Sequence, residues 1–151
     1  MSSPVIHEFP LDRAAVMEVL PHRDPMQLIE RVLSADDASI HAQTWVDPSW
    51  DVFKGHFPNL PIMPGVLLIE IAAQAGALIV GLKGGIAEGA FIAFTGVEQA
   101  KFRRAVKPGD VLDVHVDLLK ERRGFCKFEG KILVEGEVVT ELKFAAAQMS
   151  L

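Results

Sequence analysis

The stretch Gly65–Leu82, which reads GVLLIEIAAQAGALIVGL, decides the fold because it is almost wholly apolar yet contains Glu70 and Gln74. Pro64 suits the first turn of a helix, and Gly84-Gly85 provides a stop after its end. Its length approaches the ~20 residues that cross a bilayer. An ionisable side chain in hydrocarbon is costly, however. We therefore predict a helix that is buried on all sides by protein and not a membrane span.

Most of the remaining segments are predicted to form a β-sheet. Two runs before the helix, 28–33 and 40–46, are predicted as a strand pair, and a short helix capped by Asp12 precedes them. After the helix, four apolar or alternating runs are separated by turn signals: 91–97, 111–119, 125–134 and 138–145. Strict alternation in 111–119 is typical of a half-buried antiparallel strand, whose apolar face requires cover. We predict an α+β fold, an antiparallel sheet curled around the central helix, with residues 1–151 as one domain.

Composition excludes several classes of protein. The chain has 151 residues, with 15 Lys and Arg against 20 Asp and Glu, and the net charge of −5 argues against a nucleic-acid-binding protein. The single cysteine, Cys126, excludes an intramolecular disulfide and a cysteine-rich zinc site. Met1-Ser2-Ser3-Pro4 lacks the pattern of a secretory signal, so we expect a cytoplasmic protein. Tyrosine is absent, which leaves acid-base chemistry to His, carboxylates and backbone dipoles.

Two ionisable residues have settings that suit proton transfer. His56 lies in a proline-rich stretch just before the helix, where the N–H of Gly65 can polarise a carbonyl oxygen. Glu70 lies in an apolar helical turn, where burial is expected to raise its pKa, and Gln74 can hold its carboxyl from one turn away. The alternatives are a hydrogen-bonded loop histidine and a Glu70 that reaches solvent or an arginine. The combination favours an enzyme that transfers protons next to a carbonyl group.

One segment of the sequence resembles the signature of a known family. Residues 55–66, GHFPNLPIMPGV, followed by Glu70 and Gln74, closely resemble the signature of the (3R)-hydroxyacyl-acyl-carrier-protein dehydratases of fatty-acid synthesis. The resemblance includes 20–23, LPHR, and 100–110, AKFRRAVKPGD, and so covers most of the chain from Leu20 onward. It implies a hot-dog fold, in which a sheet wraps around one long helix, in agreement with the prediction above.

The resemblance also implies a mechanism. Each active site is expected to combine His56 of one subunit with Glu70 of another, in a homodimer that acts alone or assembles into a trimer of dimers. His56 removes the α-proton of a 3-hydroxyacyl thioester, Glu70 protonates the departing hydroxyl, and the Gly65 N–H polarises the thioester carbonyl. No metal or redox cofactor is required. A glutamate at position 70 favours dehydration alone, because a related branch that also isomerises the double bond usually has aspartate there.

The substrate carrier is the second partner that the resemblance implies. Two basic clusters are candidates for docking the acidic acyl carrier protein, although they also fit a solvated sheet face: Lys101, Arg103, Arg104, Lys107, Arg122 and Arg123. The chain departs from typical members at Asp24-Pro25-Met26-Gln27 and at Glu30, which leaves the acyl chain-length preference open. The alternative functions are a hot-dog hydratase acting on coenzyme A thioesters, a thioesterase, and a non-catalytic acyl-thioester-binding protein.

Overall fold

The computed structural model describes residues 7–150, in which one antiparallel sheet wraps around one long helix. The elements in this part of the chain are α1 (Arg13–Val19), β1 (Arg31–Ala35), β2 (Ser39–Trp45), α2 (Val52–Gly55), α3 (Gly65–Leu82), β3 (Ala90–Phe102), β4 (Val111–Arg122), β5 (Phe125–Val134) and β6 (Glu137–Ser150). The strands lie in the order β1-β2-β4-β5-β6-β3, and every neighbouring pair is antiparallel. The predicted α+β architecture is confirmed.

Helix α3 is the centre of the core. Its side chains, such as Ile71, Leu78 and Ile79, are fully buried, and it packs against β2, β4 and β5. By length and composition it would be able to cross a membrane, yet most of it is enclosed by the sheet, as expected for the core helix of a folded domain. The alternation predicted for β4 is also observed, because Leu112 and Val114 are fully buried on its inner face.

Local signals explain where most elements begin. Asp12 caps α1 by accepting a hydrogen bond from Ala15 N at 2.9 Å, as its position before the helix predicts. β1 begins at Arg31 and not at residue 28, because the buried Gln27 side chain occupies both backbone groups of Ile29. The short helix α2 lies within the proline-rich stretch that precedes α3. The expectation that residues 1–4 are no secretory signal lies outside the described residues.

The strands β3 and β6 extend beyond their predicted bounds, to residues 90–102 and 137–150. They pair with each other along most of their length, from Ala90 opposite Ser150 to Phe102 opposite Thr140. Apart from Phe102 and Met149, the additional residues are polar or small, so their extended conformation follows from this pairing and not from a local apolar pattern.

Gly76 gives a test of how tightly the sheet closes on the helix. A Cβ at this position would lie 3.1 Å from Phe144 Cζ and 3.2 Å from Phe128 Cδ1, two rings that stack with 4.8 Å between centroids. Gly76→Leu should lower the free energy of unfolding by about 1–3 kcal/mol, because overpacking strains a filled core. Gly55→Leu is the control, since its added Cβ meets nothing within 4 Å. Urea denaturation measures both variants; a Gly76→Leu protein as stable as the control contradicts this packing.

Candidate active site

His56 follows helix α2 and directs one ring nitrogen to the backbone. Its amide N–H donates to Val52 O at 3.0 Å, and its Nδ1 lies 2.8 Å from the carbonyl oxygen of Ile62. A carbonyl oxygen only accepts, so Nδ1 carries the proton and the neutral ring keeps its lone pair on Nε2. The ring of Phe57 stacks on the imidazole with 4.2 Å between centroids. His56 is therefore held with a basic nitrogen free to accept a proton.

The start of helix α3 follows closely in the chain. Met63 N donates to Val106 O at 2.7 Å and so fastens the loop just before the helix. Gly65 is the first helical residue, and within residues 7–150 its N–H donates no hydrogen bond. A Cβ on Gly65 would lie 2.9 Å from Cε1 of Phe102, so glycine is needed for this aromatic ring to approach. Unpaired N–H groups at a helix start carry partial positive charge and can polarise an oxygen atom.

Glu70 projects from α3 with its Oε1 shared by two neighbours. Gln74 Nε2 donates to it at 3.0 Å, and His22 Nε2 lies 3.4 Å away, within ion-pair distance but longer than the roughly 2.7–3.2 Å of an ordinary N–H···O hydrogen bond. The same Gln74 nitrogen donates to Met26 O at 2.7 Å, and Gln74 Oε1 accepts from Leu28 N at 3.1 Å. Gln74 thus holds Glu70, as the helical spacing predicts, and also ties residues 26–28 to the helix.

The expectation that burial raises the pKa of Glu70 is wrong for this protomer. Burial alone acts to raise it, but the contact with His22, the hydrogen bond from Gln74 and the charge of His22 outweigh burial, so the pKa lies below its usual range. The side chain is 24% exposed, so water still reaches the carboxyl. Its charge-bearing neighbour is therefore a histidine and not the arginine that the sequence left as an alternative.

The structure does not join the two residues within one protomer. In the part of the chain described, no hydrogen bond or ion pair connects His56 to Glu70. The loop and helical turn that follow His56 carry large apolar side chains with high exposure: Phe57 at 49%, Leu60 at 65% and Val66 at 71%. An apolar surface of this kind usually marks an interaction site.

A cavity of about 550 Å³ lies beside helix α3. Its apolar lining includes Leu67, one helical turn before Glu70, together with Met26, Trp50 and Val52. Met26 belongs to the segment that departs from the typical family pattern. The segment that departs from the family pattern therefore lines a cavity one helical turn from Glu70.

Two of the four cations in the first basic cluster, Lys101, Arg103, Arg104 and Lys107, are paired with acidic side chains of the chain. Arg103 Nη2 lies 2.5 Å from Glu141 Oε1, and Arg104 Nη1 lies 2.9 Å from Glu137 Oε2. Lys101 on β3 also faces Glu141 on β6 in the strand register. In residues 7–150, the predicted docking cations that make no ion pair are Lys101, Lys107, Arg122 and Arg123.

The second cluster surrounds a concave surface. Arg122 and Arg123 lie at the turn between β4 and β5, and with Lys120 and Lys127 they line a cavity of about 410 Å³ with an apolar floor. The exposed ring of Phe125 forms part of that floor. This surface concentrates positive charge without an acidic residue in its lining, although the whole chain is acidic.

One residue at the site was not identified by the sequence reasoning. In the sequence, His22 is distinguished only by the LPHR segment, which implies no role for it. Its position directly before Arg23 in that segment was the only signal, because its contact with Glu70 spans a long separation in sequence. Among the described residues, no group of three or more His, Cys, Asp and Glu side chains is arranged to hold a metal ion.

The chain is similar in sequence and in fold to known dehydratases. The 3-hydroxyacyl-[acyl-carrier-protein] dehydratase FabZ of Novosphingobium aromaticivorans is 44% identical over 137 residues, which cover 89% of this chain and 87% of that protein. A solved dehydratase heterocomplex, ApeI:P from Xenorhabdus doucetiae, superposes with a TM-score of 0.77 at 28% identity and covers 95% of this chain and 93% of its own.

A more distant structure shares the fold alone. A hypothetical thioesterase from Streptococcus pneumoniae TIGR4, solved with coenzyme A, superposes with a TM-score of 0.61 at 16% identity and covers 89% of this chain and 91% of its own. The shared fold is the hot-dog fold, in which a sheet wraps around one long helix. A FabA-like domain matches residues 20–143. The chain therefore belongs to the family of FabA-like domains.

Proposed function

We propose that the protein is a lyase that dehydrates (3R)-3-hydroxyacyl-acyl-carrier-protein to trans-2-enoyl-acyl-carrier-protein in cytoplasmic fatty acid elongation, with residues 1–151 as one dehydratase domain. The observation that carries this proposal is the orientation of His56, whose Nδ1 is bonded to Ile62 O and whose Nε2 is left free as a base. The identity of 44% to a FabZ dehydratase over most of both chains supports the same substrate class.

His56 begins the reaction as the general base. Its Nε2 takes the proton from C2 of the acyl chain, next to the thioester carbonyl, while Nδ1–H keeps the ring oriented through Ile62 O. Negative charge then develops on the carbonyl oxygen. The free N–H of Gly65 at the start of α3 stabilises that charge, because a helix N-terminus carries partial positive charge.

Glu70 completes the elimination as the general acid. Its carboxyl gives a proton to the hydroxyl at C3, the C3–O bond breaks, a water molecule leaves, and the electron pair from the C2–H bond forms the double bond. In the free protomer the pKa of Glu70 is lowered, so the carboxyl has to gain its proton when substrate binds. An acyl chain that covers Glu70 removes water from it, and burial is the factor that raises its pKa.

We further propose that the site is shared between two copies of the chain, in a homodimer or in a trimer of dimers. Three observations support this assembly: His56 and Glu70 make no direct contact within a protomer, strand β3 is at an edge of the sheet, and large apolar side chains on β3 are exposed. The exposed residues on this strand are Phe94, Val97 and Phe102. A long apolar edge strand is a template for pairing with a second strand.

The acidic acyl carrier protein is proposed to dock on the second basic cluster, Lys120, Arg122, Arg123 and Lys127. These cations make no ion pair with acidic side chains in the described part of the chain, whereas Arg103 and Arg104 are already paired with glutamates. Charge that is not compensated within the protein is available to steer a negatively charged partner.

The catalytic roles predict large losses of rate in two variants. His56→Ala and Glu70→Gln should each lower kcat for dehydration by about 10²–10⁴-fold, because each removes a group that transfers a proton. The measurement is the absorbance of the enoyl product formed from a 3-hydroxybutyryl thioester, with His41→Ala as a control. A near-normal rate in either variant removes that residue from the mechanism, and release of free thiol in place of an enoyl product identifies a thioesterase.

The shared site predicts complementation between inactive variants. When His56→Ala and Glu70→Gln proteins are unfolded, mixed in equal amounts and refolded together, about a quarter of the wild-type activity should return, since half of randomly paired dimers are heterodimers and each heterodimer has one intact site of two. Each variant refolded alone is the control. If the mixture stays as inactive as its components although mixed dimers are detected by mass spectrometry, each site lies within a single protomer.

If the carrier docks on this surface, substitutions there should change KM only for carrier-linked substrates. Arg122→Glu combined with Arg123→Glu should raise KM for a carrier-linked substrate about tenfold and reduce its dependence on salt. A short thioester without the carrier should react at the wild-type rate. The matched control is Arg103→Glu with Arg104→Glu, which should have a smaller effect because both arginines pair with glutamates. Equal effects in both double variants contradict this location.

A further inference from the structure

The carboxyl of Glu70 is held on one side only. Its Oε1 faces both Gln74 Nε2, at 3.0 Å, and His22 Nε2, at 3.4 Å. Within residues 7–150, Oε2 accepts no hydrogen bond. The two carboxyl oxygens therefore differ: Oε1 is anchored to the protein, and Oε2 is free to contact a ligand.

The surroundings of Nδ1 indicate which ring nitrogen of His22 carries the hydrogen. Nδ1 is buried and has no hydrogen-bond partner in the structure described. A buried N–H without an acceptor costs more than a bare ring nitrogen. The proton is therefore placed on Nε2, which faces the carboxylate. His22 is therefore a donor aimed at Oε1 of Glu70.

The backbone around His22 is fastened to the rest of the site. The guanidinium of Arg23 donates to Leu20 O at 2.9 Å and to His22 O at 2.6 Å. Gln74 binds the same segment further along, through Met26 O at 2.7 Å. These bonds restrict where the imidazole of His22 can lie relative to helix α3. The contact with Glu70 is therefore a property of the folded segment and not of a freely rotating surface side chain.

Other charges near this segment are directed elsewhere. The guanidinium of Arg23 is occupied by carbonyl oxygens, and Asp24 pairs with Arg13. On α3 itself, the neighbour of the carboxyl is the neutral amide of Gln74. From the two elements that meet here, His22 is the one titratable group that faces Glu70 in the described part of the chain.

We propose that His22 is a positioning residue of the dehydration, which anchors Glu70 by Oε1 and leaves Oε2 as the atom that gives up the proton. This inference rests on the function proposed above. When Oε2 protonates the leaving hydroxyl, negative charge develops on the carboxyl, and the donors on Oε1 stabilise that charge. Because the interaction strengthens as the proton leaves, it lowers the barrier of the acid step and not only the energy of the bound substrate.

The direct test is a titration of Glu70 by nuclear magnetic resonance in the full chain, with glutamate labelled by ¹³C at the carboxyl carbon. The resonance of Glu70 is identified by its loss in Glu70→Gln. In His22→Phe, which keeps an aromatic ring but has no donor, the proton affinity of Glu70 should rise about three- to tenfold. His22→Gln, which can place an N–H near Oε1, should recover most of the wild-type titration.

Two further variants control this measurement. His41→Phe removes a histidine that contacts another carboxylate, Asp113 at 2.8 Å, and should leave the titration of Glu70 unchanged. If His22→Phe fails to fold by circular dichroism, His22→Asn replaces it, because its amide is too short to reach Oε1. A wild-type titration of Glu70 in a folded His22→Phe or His22→Asn protein overturns the proposal.

Kinetics separate this inference from the proposed function. With a short thioester substrate, His22→Phe should lower kcat about tenfold while KM changes less than about twofold, since the lost interaction acts in the transition state. An altered titration with an unchanged kcat overturns the role of His22 in the reaction. A wild-type protein that forms no enoyl product overturns the proposed function instead, whatever the titration of Glu70 shows.

Discussion

Helix α3 is apolar on nearly every side, so each of its faces has to be covered, and a flat sheet covers only one. The sheet therefore curves around the helix, and strands from β2 to β6 contribute to the same core. The stacked rings of Phe128 and Phe144 meet the helix at Gly76, where the absence of a side chain lets them approach. Burial of this one helix fixes the position of its first turn, and the candidate active site is built around that turn.

Glu70 and Gln74 are the exceptions to the apolar character of the helix, and the structure treats them differently. Gln74 is 1% exposed. Its side-chain amide forms hydrogen bonds with Glu70, Met26 and Leu28, so this buried polar group is fully paired. Such a network specifies one arrangement of the elements that it connects. The same side chain that anchors the segment before β1 to the core thus also orients the carboxyl. A change in this segment therefore alters packing and chemistry together.

Much of the fold could be predicted because its signals are local. Helix α3 and strand β5 lie within the bounds expected from apolar periodicity, turn residues and the Pro64 start. His56 and Glu70 were identified by their unusual settings. The end of β3 was not predicted, because its polar residues are extended only through pairing with β6. The contact of His22 with Glu70 was also missed, and with it the direction of the pKa shift, because both depend on residues that only folding brings together.

The proposed assembly and the proposed chemistry depend on the same surface. Proton transfer to a hydroxyl is most effective when water is excluded, yet Glu70 is 24% exposed in a single protomer. The apolar side chains that need cover, such as Phe102 and Val66, lie at the helix start and on the edge strand β3. In the proposed dimer, covering them also removes water from the site. Because burial is the factor that raises the pKa of Glu70, the proposed assembly and a bound substrate would act in the same direction, toward a protonated carboxyl.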